Sequence, residues 1–419
     1  MRKTLKIIAF VTVLAAIILL YLKSFDIAPI LLIGGVVILA LTCAGQKLWG
    51  GFSFSLLILA AVIASLAFPE YFLSIGNFKT ELLIVPLLQI IMFGMGSQMS
   101  LQDFKGVMKM PKGVIIGVIC QFSIMPIVGF SITYLFSFPP ELAAGIILVG
   151  SSPSGMASNV MSFIARANLA LSVSLTAFAT LLSPFMTPLL MKVFASEMVT
   201  IDFIDMMASI FNMVILPICA GLTFNLFAFG NKSWRAKGMQ LLAYFIIVVV
   251  KNVLNLSGSD EVINALIKGV FINSLMFIVL PIIMAFLFKL FIKGGKELIS
   301  RLLSFVSMFG IAIIIVVITA AGRDSLLEVG VLLILACLSH NVLGYFLGYS
   351  VSKLFKLKEQ DCRTIALEVG MQNGGLASGL ALQMGKVATV GLAPAVFGPL
   401  MNVTGSTLAS WWKSRAPKL

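Results

Sequence analysis

Charge is scarce in this chain. Asp, Glu, Lys and Arg together make up 11% of its 419 residues, against 60% apolar ones, and the polar stretches amount to short loops. No soluble domain fits such a composition. The five cysteines (Cys43, Cys120, Cys219, Cys337, Cys362) show no CxxC spacing and lie mostly inside apolar runs. They read as small packing residues without a metal or disulfide role. There is no phosphate loop, no nucleophile with a base at useful spacing and no nucleotide-binding unit, which argues against an ATP-driven pump and against an enzyme. The net charge of +13 is scattered rather than clustered, so nucleic acid is not an expected partner and the charge reads as a topological signal.

What the chain has instead is apolar runs of spanning length. With a mean hydropathy of +1.10, it reads as an all-α polytopic membrane protein embedded in a lipid bilayer, each span needing about 20 mostly apolar residues. Candidate spans are 5–22, 27–45, 53–68, 82–99, 113–136, 141–165, 168–194, 204–229, 239–256, 266–291, 302–320, 326–352, 363–385 and 388–412. An even number puts both termini on one side. With both inside, only Lys23, Lys79, Lys192, Lys251, Lys268, Arg323 and Lys386 of the 29 basic residues fall outside. That bias predicts cytoplasmic termini in a bacterial inner (plasma) membrane. Residues 1–22 have a signal-peptide profile, but no small-residue cleavage site follows, so the first run reads as an uncleaved span. Span 239–256, with Lys251 and two asparagines near its end, spans or lies along the interface.

Two spans are interrupted in the same way. In 363–385, Glu368-Val369-Gly370-Met371-Gln372-Asn373-Gly374-Gly375 places a carboxylate, two amides and three glycines in an apolar run. A carboxylate at bilayer depth costs about 2.5–3.5 kcal/mol even on lenient scales, which marks a functional site. Glycines let the backbone leave the helix and turn its carbonyls inward. In 141–165 the run breaks at Gly150–Asn159, where Pro153 lacks an N–H and glycines and serines invite unwinding. Paired breaks in two halves of a membrane protein point to a transport site, where loose carbonyls suit a cation and half-helix N-termini suit an anion.

Other polar residues are ambiguous on their own. Ser172 and Thr176 share a helix face and either turn toward the break or bond their own backbone. Gln121 is a lone amide in an apolar span, and Asn402 either lines a cavity or bonds a neighbouring helix. His340, the single histidine, sits mid-span beside Asn341 and reads as a hydrogen-bonded packing residue before a proton relay.

Several segments together resemble one family. Pro153-Ser154-Gly155-Met156-Ala157-Ser158-Asn159-Val160-Met161 resembles the first crossover motif of the bile acid:sodium symporters, and 165–173 continues it. Glu368–Asn373 is similar to the second crossover motif, as are 92–96, 121–126 and 402–405 to other family segments. The resemblance implies two inverted five-helix repeats, divided into core and panel domains, with two broken helices crossing near mid-membrane. It implies one sodium site on Ser158, Asn159, Ser172, Thr176 and Glu368. A second would use Gln121, Glu368, Gln372 and the backbone carbonyls of Val369 and Met371. Substrate is expected near Gly155, Met156, Asn373 and Asn402.

Three departures stand out. Residues 1–50 form an extra N-terminal pair of spans ahead of a symporter-type domain at 51–419. Within that domain the repeats fall at about 51–196 and 200–412, and a hairpin at about 235–292 is inserted in the second. Its Phe277-Ile278-Val279-Leu280-Pro281 echoes Met213-Val214-Ile215-Leu216-Pro217. Met156 and Met401 stand where family members can have a polar residue, making the cavity less polar. The expected function is symport of an organic anion (bile-acid-like, pantoate-like or a 2-oxo acid) with two Na+ by alternating access. Proton coupling on the same fold, or a non-transporting ligand sensor, are the alternatives.

Overall fold

A computed structural model describes residues 2–21, 27–43, 50–99, 110–230, 233–254, 262–291 and 295–415. Among them, regular structure is helical apart from a short hairpin pairing Ser74–Ile75 with Phe78–Lys79. Eight of the described helices are long and apolar enough to cross a membrane, and Ala28–Cys43, Leu56–Ala67 and Pro140–Ser151 are shorter apolar helices.

The chain opens with α1 (Arg2–Tyr21) and α2 (Ala28–Cys43), which pack on each other and, through α2, on α3 (Gly50–Ala67). Next come α4 (Ile84–Gln98), α5 (Pro111–Phe136), the broken pair α6 (Pro140–Ser151) and α7 (Ala157–Ile164), and α8 (Leu169–Ala195). Then α9 (Phe203–Ala228) begins the second series. It is followed by α10 (Trp234–Leu254), α11 (Asn264–Phe291) and α12 (Lys296–Ala321). Last are α13 (Arg323–Leu354), the broken pair α14 (Glu359–Gly370) and α15 (Gly374–Gln383), and α16 (Leu392–Lys413). The stretch expected to span or lie along the interface is α10, a 21-residue helix of spanning length that starts at Trp234.

Two groups of helices result. The core packs α5 to α8 with α13 to α16. The panel packs α3, α4, α9 and α12, with α10 and α11 against α9. The panel is centred on the α4–α9 crossing, where a Cβ on Gly96 would stand 2.2 Å from the Ile218 carbonyl oxygen and one on Gly221 2.2 Å from that of Phe93. Only glycine permits backbones to approach so closely.

The repeat shows in the details. Both α6 and α14 have 12 residues before their breaks. Their second halves, α7 and α15, end alike: Ala167 N–H bonds back to Ser162 and Lys386 N–H to Ala381, each around a left-handed residue, Arg166 (φ 54°) and Gly385 (φ 67°). This is the Schellman closure of a helix end. The echoed motif also has a common structure. A π-helical turn, Phe211–Ile215 in α9 and Leu275–Val279 in α11, precedes Leu-Pro in both. Proline removes the donor that would continue the α-helical ladder there.

Candidate functional site at the helix crossing

The helix α6 runs through Gly150 and stops at Ser151, so the irregular segment, 152–156, is shorter than the sequence suggests. Pro153 cannot donate the next helical bond. In the second break only 371–373 is irregular, and Asn373 caps α15 by accepting from Leu376 N–H at 3.0 Å. The two segments cross as an antiparallel bridge. Gly155 N–H donates to Met371 O at 2.9 Å and Asn373 N–H to Pro153 O at 2.8 Å. A Cβ on Gly155 would meet the Gln372 carbonyl oxygen at 2.8 Å, so this position needs glycine for the approach itself.

Each break leaves a carbonyl without its helical donor, and an amide on a neighbouring long helix takes it. Gln121 Nε2 donates to Ser152 O at 3.0 Å, and Asn341 Nδ2 donates to Gly370 O at 2.8 Å. Thr404 completes the second arrangement by donating to Asn341 Oδ1 at 2.6 Å.

Glu368, 2% exposed, lies one turn before the second break and turns its carboxylate toward α7 and α8. Oε1 accepts from Ser158 at 2.6 Å and Ser172 at 2.5 Å; Oε2 accepts from Ser154 at 2.6 Å and Thr176 at 2.8 Å. Asn159 Oδ1 stands 2.8 Å from the Ser172 hydroxyl and 3.3 Å from that of Thr176. Hydroxyl hydrogen bonds to an ionised acceptor are the stronger kind. Yet among the described residues no Lys or Arg pairs with this carboxylate, whose polar neighbours are all neutral. A buried charge without a counter-charge is strongly unfavourable, so the pocket's chemistry calls for a small cation or a proton.

The five residues expected at the first sodium site are thus brought together, and Ser154 joins them. It lies in the irregular segment ahead of α7, so no helical spacing from Ser158 announced it in the sequence. The second expected set is arranged differently. Gln121 Nε2 reaches Gln372 Oε1 at 2.7 Å, Gln372 Nε2 donates to Val369 O at 2.6 Å, and Met371 O is engaged by the bridge. Gln121 Oε1, buried, has no partner. A buried amide oxygen left without a donor is a hard-oxygen ligand that suits a hard cation.

Gly155, Met156, Asn373 and Asn402 all line one cavity of about 110 Å³ at the crossing. Its far wall is apolar and comes from the panel, with Ile311, Ile314 and Ile315 of α12. Ser378, which the sequence reading did not single out, lines it too. His340 stands apart from the cavity. Its Nε2 lies 2.8 Å from Met125 O, its ring meets Phe397 edge-on at 5.7 Å, and it packs against Gly129 and Gly150. The five cysteines are buried and free.

Comparisons with known proteins agree with this architecture. The Sodium Bile acid symporter family matches residues 85–258. The uncharacterized sodium-dependent transporter YocS of Bacillus subtilis is 32% identical over 371 residues, covering 88% of this chain and 94% of that one. The probable sodium/metabolite cotransporter BASS1 of Arabidopsis thaliana is 30% identical over 331 residues, 79% of this chain and 67% of its own length. The human ileal sodium/bile acid cotransporter is 26% identical over 321 residues, 75% and 73% respectively. Among solved structures, the sodium proton antiporter MjNhaP1 of Methanocaldococcus jannaschii shares the fold, with a TM-score of 0.50 at 14% identity over 93% of this chain and 99% of that one. The near full-length alignment with YocS, joined to the family match and the further sodium cotransporters on a helical membrane fold with two crossed breaks, places the chain in the sodium bile acid symporter family, as a membrane transporter and not an enzyme.

Proposed function

We propose that this sodium-coupled transporter takes up an organic anion in symport with sodium by alternating access. The observation that carries the proposal is Glu368: a buried carboxylate ringed by four hydroxyls, with no basic partner among the described residues. A proton needs one acceptor. A ring of converging oxygens is what a sodium ion needs in place of its hydration shell.

In this reading sodium is cargo. The first ion is held by Glu368, Ser158, Asn159, Ser172 and Thr176, with Ser154 added. The second uses the orphaned Gln121 oxygen with Glu368, Gln372 and the carbonyls of Val369 and Met371. Both sites bear on the breaks, so ion binding orders the segments from which α7 and α15 start. The N-terminus of α7 has no side-chain cap, and its helix end beside Met156 offers partial positive charge to a substrate carboxylate. Asn373 and Asn402 supply amide contacts, and the coupling is about 1–3 kcal/mol, as is ordinary for linked sites. The cavity of about 110 Å³ is well below the roughly 300–1,000 Å³ of drug-sized pockets. It therefore favours short oxo or hydroxy acids over a steroid. Core and panel then move past each other to alternate access. The extra N-terminal pair and the inserted hairpin brace the panel side, and both termini face the cytoplasm of a bacterial plasma membrane.

Proteoliposomes test the reading. An inward sodium gradient should drive accumulation of a labelled three- to six-carbon oxo or hydroxy acid, while a proton gradient in potassium buffer should not. Uptake that follows the proton gradient and ignores sodium would overturn it.

A further inference from the structure

Helices α8 and α14 meet along one face each, and their contacts form a ladder. On α8, Asn168, Ser172 and Thr176 recur every four residues; on α14, Thr364 and Glu368 do. Residues four apart lie one above another on a helix face. The upper rungs are the hydroxyls of Ser172 and Thr176 on Glu368. One turn away stands a rung that holds no carboxylate of the pocket. Asn168 N–H donates to Thr364 Oγ1 at 2.9 Å, and the Thr364 hydroxyl lies 3.1 Å from Asn168 O.

The Asn168 side chain serves both helices at once. Its Oδ1 caps α8 by accepting from Leu171 N–H at 3.1 Å, and its Nδ2 donates to Asp361 Oδ1 at 2.7 Å. Behind it, Arg363 is 5% exposed and donates to the carbonyls of Ala165, Trp412 and Arg415 at 3.4, 3.2 and 2.8 Å. The first turn of α14 is thereby tied to the bend that launches α8.

The other end of the repeat pair has a counterpart. The sequence interval from Glu141 to Glu359 equals those from Gly155 to Asn373 and from Asn168 to Lys386. There Glu141 of α6 accepts from Lys386 and, at 2.6 Å, from Thr389 in the bend before α16. One turn further along, however, this ladder carries Gly145 against Ala393, where a Cβ on Gly145 would stand 3.3 Å from that of Ala393. It is closed by packing and carries no oxygen ligands.

We propose that Asn168, Asp361 and Thr364 are positioning residues for the sodium site. They set the axial register of α8 against α14, and so the fit of Ser172 and Thr176 around Glu368, without touching an ion. The proposal rests on the sodium reading of Glu368. Binding constellations tolerate displacements of only about 0.5 Å, and a slip of one residue along a helix is about 1.5 Å. A rung one turn from the ligands is therefore well placed to fix their spacing.

Sodium titration of thermal stability in detergent, with potassium holding ionic strength constant, tests this. Asn168→Asp keeps an oxygen to cap Leu171 but loses the donor and sets like charge against Asp361. It should raise the half-saturating sodium concentration about tenfold. The swap Asn168→Asp with Asp361→Asn re-forms the hydrogen bond in the opposite sense and should bring that value back to within about threefold. Lys386→Ala should lower the melting temperature in potassium while leaving the sodium midpoint in place. An unchanged midpoint in Asn168→Asp, or no recovery in the swap, overturns the positioning role. A wild-type protein indifferent to sodium would instead overturn the ion-site reading, and the positioning role with it.

Discussion

The two breaks share one plan and differ in what they leave unfinished. In both, an amide from a neighbouring long helix takes the last carbonyl before the crossing, Gln121 on one side and Asn341 on the other. Asn341 is then closed, because Thr404 donates to its oxygen. Gln121 is not closed, because its oxygen has no partner. Side chains near the breaks divide likewise. The first break and α8 supply hydroxyls and the second supplies the carboxylate they converge on. Beside Gly150 in the first broken helix, the space is taken by the His340 ring. A pseudo-symmetric scaffold thus supports ligand chemistry on one side of the crossing and packing on the other.

The largest expected effect comes from removing the charge that the open side surrounds. Glu368→Ala should abolish sodium-stimulated uptake, a loss beyond the 10- to 100-fold typical of residues that merely support metal ligands. Uptake assays with and without sodium would show it.

The comparison between the amides is sharpened by truncating each. Gln121→Ala should raise the half-saturating sodium concentration about tenfold. Asn341→Ala should do the reverse: it strands the Gly370 carbonyl and should cost about 1–3 kcal/mol of stability, with the sodium midpoint little changed. Melting curves across a sodium titration distinguish the two outcomes. Equal phenotypes would mean that the two sides are not divided as described.

Smaller effects follow for the hydroxyls. Ser172→Ala and Thr176→Val should each raise the sodium midpoint several-fold, with the double variant falling short of the product, since both act on one carboxylate. At the bridge, Gly155→Ala forces a Cβ to within 2.8 Å of the Gln372 carbonyl oxygen. It should lower stability in either salt by about 1–3 kcal/mol, the usual range for overpacking.

Much of this was legible in the sequence, for physical reasons. A membrane span must satisfy its own backbone hydrogen bonds, so apolar length alone predicts helix, and Pro153 and the glycine cluster at 370–375 locate the interruptions. The carboxylate of Glu368 was conspicuous because charge is costly there. Gln121 was not, since its meaning lies in Gln372, which only the fold brings to 2.7 Å. The same holds for the Asn168–Thr364 rung and for the three carbonyls that Arg363 gathers from two segments, the bend after α7 and the end of α16. The echo between Met213–Pro217 and Phe277–Pro281 was readable as a repeat. Its π-helical turn was not, because a proline's missing donor is compatible with either a kink or a bulge. Break boundaries were overestimated because Gly150 can remain helical when α5 packs directly on it, so closely that a Cβ there would stand 2.5 Å from Met125 O.

The central claim is that the oxygens around Glu368 hold sodium. The most direct test is the melting temperature of the purified protein in sodium chloride and in potassium chloride at equal ionic strength, for the wild type and for Glu368→Ala. A ligand that binds only the folded state stabilises it by RT ln(1 + [L]/Kd), about 2.7 kcal/mol at one hundred times Kd. The account predicts a saturable rise specific to sodium in the wild type and none in the variant. Identical melting in the two salts, or a sodium shift that survives Glu368→Ala, would contradict it.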